Sequence, residues 1–185
     1  MRLHILAILA TFGLITSSLE ATPGQVILLR HGEKPEQGNY LTKTGFIRAA
    51  ALVPFFTLPP ANSGFKTPNV IFAQSPDKSD KSVRPVQTVA PLAAALGVEL
   101  IAEYHKHDYA KLVKEINSNS AYDGLTVLIC WAHEKIPHIA SAFGVQNPPK
   151  FPDVFDRVWV IDFDGDQVLS FQDFPQQLLY GDSES

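Results

Sequence analysis

Cysteine is nearly absent: Cys130 is the only one in 185 residues. An intrachain disulfide is thereby excluded. Because Cys130 stands in the apolar run "LTVLICW", it reads as a small buried hydrophobe with no chemical role. Runs of lysine and arginine are missing too, and the net charge is −4. The chain is therefore not built to bind nucleic acid as a whole, although a few local arginines can still hold a small anion. The signature of disorder is also absent. With 45% hydrophobic and 18% charged residues, the chain has an ordinary globular balance, and its length makes one domain the default.

The one unbroken apolar stretch of note lies at the start. Met1-Arg2 is followed by "LHILAILATFGLIT" and then by the small and turn-forming "SSLEATPG". The apolar part is shorter than the ~20 residues that a membrane span needs. Residues 1–21 are expected to be a secretory signal peptide cut near Ala21, the alternative being a retained anchor. Residues 22–185 form the mature domain, exported to a periplasmic or extracellular space and free of stable membrane association after cleavage.

Within that domain, "QVILLR" (25–30), "NVIFAQ" (69–74), "VELIAEY" (98–104) and "LTVLICW" (125–131) are short, apolar and rich in β-branched residues, as buried strands are. Helical stripes lie between them. Phe46, Ala49, Ala50, Val53 and Phe56 make one. Val86, Val89, Ala90, Ala93 and Leu96 make a second, ended by Gly97 and interrupted by Pro91. Tyr109, Leu112, Val113 and Ile116 follow Asp108 as a candidate cap, and Ile136, Ile139, Ala140 and Phe143 run up to Gly144. Alternating strands and helices predict an α/β fold, a three-layer α/β/α sandwich around a mostly parallel sheet. "RVWVIDFDGDQVLSFQDF" predicts a C-terminal hairpin completing that sheet.

The polar residues gather on one side of this plan. Arg30-His31-Gly32 ends the first strand, Ser75 and then Arg84 follow the second, and His133 follows "LTVLICW". In a parallel sheet these positions share the carboxyl edge, where open α/β folds bind ligands. Two arginines and two histidines at one spot suit a phosphate dianion. At ~4 Å and an effective dielectric near 20, each cation contributes about 4 kcal/mol of attraction. Guanidinium forks match phosphate oxygens. A neutral imidazole can attack phosphorus and form a phosphohistidine for water to hydrolyse. Gly32 would let the backbone approach the bound group, and a second histidine would stabilise the transition-state oxygens.

Four blocks carry a family likeness: "LLRHGE" (28–33), "LTKTGFIRAAAL" (41–52), "RPVQTVAPLA" (84–93) and "CWAHE" (130–134). In these blocks, and in their order, the sequence resembles the histidine phosphatase superfamily, also called phosphoglycerate mutase-like. The resemblance implies His31 as the phosphorylated nucleophile and Arg30, Arg84 and His133 as the phosphate pocket, with no metal or cofactor. Glu134, directly after His133, resembles the acid of the acid-phosphatase branch. Glu103 occupies the place that the mutase branch uses and stays open as the alternative, while Glu33 would position rather than donate. The segment "SPDKSDKSVR" separates Ser75 from Arg84 more widely than the family does, so Lys78 and Lys81 are expected to face the substrate. Thr42 reads as a helix cap.

The function that follows is hydrolysis of a phosphomonoester or phosphoramidate on a small molecule or phosphoprotein, by a monomer. A non-catalytic phosphate binder on the same fold, or a phosphomutase, is the alternative. Other chemistries fit less well. A cysteine phosphatase needs arginine six residues after its cysteine, where this chain has Ile136. Asp162 and Asp164 in "VWVIDFDGD" imitate an aspartate nucleophile, but only nineteen residues follow Asp166, and a hairpin accounts for them. Cys130, His133 and His138, or His105 and His107, lack the spacing of a metal site.

Overall fold

The run Gln25–Arg30 forms β1, buried along its whole length. The computed structural model describes residues 22–59 and 63–184, so the expected signal peptide lies outside the described residues. After β1 come α1 (Lys43–Thr57), β2 (Val70–Ala73), α2 (Arg84–Leu96), β3 (Leu100–Ile101) and α3 (Tyr109–Ser118). Then follow β4 (Thr126–Trp131), α4 (Ile136–Ala142), β5 (Arg157–Asp164) and β6 (Gln167–Pro175). The six strands form one sheet in the order β3-β2-β4-β1-β5-β6. β1 pairs in parallel with β4, β4 with β2 and β2 with β3, while β5 runs antiparallel to β1. The hairpin of β5 and β6 turns at Gly165-Asp166, with Gly165 at φ 58°, a left-handed conformation that glycine adopts without strain.

Strand alternation sorts the core into two layers. Val26, Leu28, Val127 and Ile129 point to the face covered by Leu112, Val113 and Ile116 of α3 and by Ile136 and Ile139 of α4. Ile27, Leu29, Leu128 and Cys130 point to the opposite face, under Leu52 and Phe56 of α1 and Val89 and Leu92 of α2. The result is the expected three-layer sandwich with its C-terminal hairpin.

Three local expectations change. The strand expected at 98–104 shrinks to Leu100–Ile101 plus one bridge between Ser75 and His105. It lies at the sheet edge, pairs on one side only with the short β2, and carries Glu99 and Glu103 exposed to solvent. In α1 the buried face is Gly45, Arg48, Ala49, Leu52 and Phe56, leaving Phe46 half exposed and Ala50 outside. The helix is rotated because Arg48 faces inward. Asp108 precedes α3, yet its carboxylate accepts from the His105 amide and from Lys111 Nζ instead of capping the helix. Thr42 does cap α1, accepting from the Gly45 amide at 3.1 Å.

Candidate active site

Arg30 is the last residue of β1 and His31 the next, and both are buried. The Arg30 guanidinium is fixed by its Nη1, which donates to Asp153 Oδ1 at 2.8 Å and to the Val154 carbonyl at 3.1 Å. It also lies 4.0 Å from the ring centre of Phe155, a stacking that a planar guanidinium favours. His31 Nδ1 lies 2.7 Å from the carbonyl oxygen of Gly32. That oxygen can only accept, so Nδ1 carries the proton and Nε2 keeps its lone pair. Burial is the main reason that the His31 pKa is pushed down to about 4; Arg84, Arg30 and Lys34 add to it, against the Gly32 bond. The imidazole is therefore neutral at neutral pH.

The segment carrying His31 is seated on α1 and α2. A Cβ at Gly32 would meet the Gly45 carbonyl oxygen at 3.1 Å, and one at Gly45 would meet the Glu33 carbonyl oxygen at 2.6 Å. Two glycines thus let loop and helix touch through their backbones. The Gly32 amide donates to Thr88 Oγ1 at 2.8 Å, and that hydroxyl donates to the Arg84 carbonyl. The bare Cα of Gly32 packs against α1, and Gly32 is not among the residues that line the cavity described below. Glu33 accepts from Arg48 Nη2 at 2.7 Å, in keeping with a positioning role.

Arg84 opens α2, and its Nη1 donates to the Gly38 carbonyl at 2.7 Å. Its buried Nε has no hydrogen-bond partner among the described residues. His133 and Glu134 lie in a single 3-10 turn directly after β4. Burial, then Arg30, hold the His133 pKa below its usual value, although Glu134 and Asp153 pull the other way. The Glu134 carboxylate is paired with Lys106 Nζ. Burial would raise the pKa of Glu134, but the Lys106 hydrogen bond and charge outweigh it and hold it below the usual carboxylate range.

Arg30, His31, Arg84, His133 and Glu134 all line one cavity of about 200 Å³ at the carboxyl edge of the parallel strands. Lys34, Gln74, Asp80, Ser82 and Lys106 complete its charged and polar wall. Lys78 and Lys81, expected to face the substrate, are exposed and absent from the wall; Asp80 and Ser82 of the same loop stand there instead. The loop folds on Asp77, whose Oδ1 accepts from the amides of Ser79 and Asp80, and this turns Asp80 inward. Glu103 is exposed and does not reach the cavity; its charge acts on Tyr104 and Tyr122. Between the two candidate acids, only Glu134 is in place. Lys106, which joins this wall, stands in "YHKHDY" with no local pattern that marks it, since its place depends on the turn of the loop after β3.

No protein-family model and no curated protein matches this sequence. Among solved structures, the chain resembles the protein histidine phosphatase SixA in complex with tungstate, with a TM-score of 0.62 and 12% identity over 82% of this chain and 97% of that one. It also resembles the mycobacterial glucosyl-3-phosphoglycerate phosphatase, with a TM-score of 0.54 and 12% identity over 82% and 97% of the two chains. The fold is that of the histidine phosphatases. On this histidine phosphatase fold, the order of blocks read from the sequence becomes an order of loops around one cavity. Chemically, the cavity is lined by a neutral imidazole, two hydrogen-bonded guanidinium groups, a second imidazole and a carboxylate within one small volume. Asp162, the mimic of an aspartate nucleophile, is occupied elsewhere, accepting from Gln25 Nε2 at 2.8 Å and Ser170 Oγ at 2.7 Å. Cys130 is buried under α1 and α2, and His138 stacks on Tyr109, so neither joins His133.

Proposed function

We propose that the protein is an exported histidine phosphatase that hydrolyses a phosphomonoester or phosphoramidate through a phosphohistidine on His31. The observation that carries this reading is the bond from His31 Nδ1 to the Gly32 carbonyl in the cavity that Arg30 and Arg84 line. It leaves Nε2 unprotonated and facing chemistry that needs a lone pair. Arg30, Arg84 and His133 hold the phosphoryl oxygens. Nε2 attacks phosphorus as the bond to the leaving oxygen or nitrogen breaks, and the leaving atom takes a proton from Glu134. A water then gives its proton back to Glu134 and its hydroxyl to phosphorus, releasing inorganic phosphate and restoring His31. None of these steps calls on a metal or cofactor.

The substrate is a small phosphorylated molecule or a phosphoprotein. Likeness to a structure named as a protein histidine phosphatase favours a phosphorylated side chain as one such substrate. A pulse with labelled phosphodonor is expected to place acid-labile phosphate on His31, and His31→Ala is expected to abolish both label and turnover of an aryl phosphate. An inert wild type that still binds phosphate or vanadate would instead identify a non-catalytic binder.

A further inference from the structure

The acid of this site is held in the wrong state for its task. Glu134 must carry a proton to give one to a leaving group, yet it is paired with Lys106. Lys106 is anchored by its main chain. Its backbone carbonyl accepts from Trp131 Nε1 at 3.2 Å, which pins it beside the end of β4. Its ammonium also lies 3.5 Å from Asp80 Oδ2, and Asp80 is in turn reached by Gln74 Nε2 at 3.3 Å. Lys106 thus bridges two carboxylates from two different loops, on the wall of the cavity that contains His31. The other charged or titratable groups lining the cavity with Glu134 are Arg30 at the end of β1, His31 and Lys34 after it, Arg84 on α2, and the adjacent His133, whose Nδ1 lies 3.4 Å from Glu134 Oε2.

A phosphoryl dianion among these cations offers the Lys106 ammonium a partner of higher charge than either carboxylate. We propose that Lys106 is a positioning residue for Glu134: an incoming phosphoryl group draws its ammonium away from the carboxylate, and Glu134 then takes a proton from solvent. The bound dianion, now the nearer charge, favours that protonation further. The proton passes to the leaving atom as its bond to phosphorus breaks and the bond to His31 Nε2 forms. The acid is thereby armed only when a phosphoryl group is present. This inference rests on the phosphatase reading above.

The test is a carboxyl-carbon NMR titration of Glu134, assigned with Glu134→Gln, in the presence and absence of inorganic phosphate. In the wild type, saturating phosphate is expected to raise the Glu134 midpoint by about one pH unit or more. Lys106→Met should show a raised midpoint without phosphate and a smaller response to it, and Lys106→Arg should restore the wild-type behaviour. The basic limb of kcat/KM, which reports the free enzyme, should move to higher pH in Lys106→Met. A wild-type midpoint indifferent to phosphate overturns the switch, whether or not the methionine variant folds. Absence of turnover and of label on His31 overturns the phosphatase reading alone, because the titration needs no catalysis.

Discussion

At the scale of the residue, His31 links chemistry to stability. Its neutral form is favoured in the folded protein, where its pKa is about 4, while in the unfolded chain it titrates near 6.5. Below pH 6.5 the unfolded state binds a proton that the folded state refuses, so stability falls as pH drops towards 4. This one group contributes on the order of 3 kcal/mol over that window. Urea midpoints at pH 7 and pH 4.5 should therefore fall less in His31→Asn than in the wild type; equal losses would contradict the buried neutral imidazole. Much of the site was legible at this scale because Arg30, His31, Arg84 and His133 sit at strand ends or a helix start, where sequence pattern fixes position. Lys106, Asp80 and Arg48 were not legible. Each depends on which way a loop or helix turns, and that is decided by contacts with distant residues.

At the scale of the element, the contact between α1 and the loop after β1 is made through bare backbone. Gly45→Ala would set a methyl 2.6 Å from the Glu33 carbonyl oxygen. Backbone on both sides leaves little to yield, so the helix must shift, at a cost of about 1–3 kcal/mol. A lowered denaturation midpoint together with reduced turnover is the expected outcome, measured by urea unfolding and an aryl phosphate assay. An unchanged midpoint would mean that the loop does not depend on this seat. The apolar periodicity found the four α-helices of the described residues, but it misplaced the inner face of α1, since it counts hydrophobic residues and Arg48 is buried. It also overextended β3, an edge strand that pairs with β2 at Leu100 and Ile101 alone.

At the scale of the whole molecule, Arg48 joins three regions distant in sequence. From α1 it reaches Glu33 beside His31, Gln176 after β6 and Asp182 near the C-terminus. Burial works against the charge of Arg48, but Asp182 and Glu33 overcome it and push its pKa up. Removing one partner of a buried ionic set leaves the others uncompensated, which costs about 3–5 kcal/mol. Arg48→Ala is thus expected to lower the unfolding free energy by that order and to expose residues 178–184 to limited proteolysis. A tail that stays protected would show that other contacts hold it. The three layers, the mostly parallel sheet and its C-terminal hairpin were readable in advance since they follow from alternation and chain direction. This long-range tie was not, because no local pattern pairs a helix arginine with an aspartate so far along the chain.

The bond between the Trp131 indole and the Lys106 carbonyl has a spectroscopic consequence. Of the two tryptophans in the chain, Trp131 is tethered to the cavity wall, while Trp159 packs among Phe151 and Phe171 with its indole nitrogen unpartnered among the described residues. Both are buried in one apolar layer, but Trp131 alone is hydrogen-bonded to a residue that lines the cavity. Movement of Lys106 is therefore expected to change the emission of Trp131 more than that of Trp159, so intrinsic fluorescence during a phosphate titration, compared with a Trp159→Phe variant, offers an optical readout of the cavity.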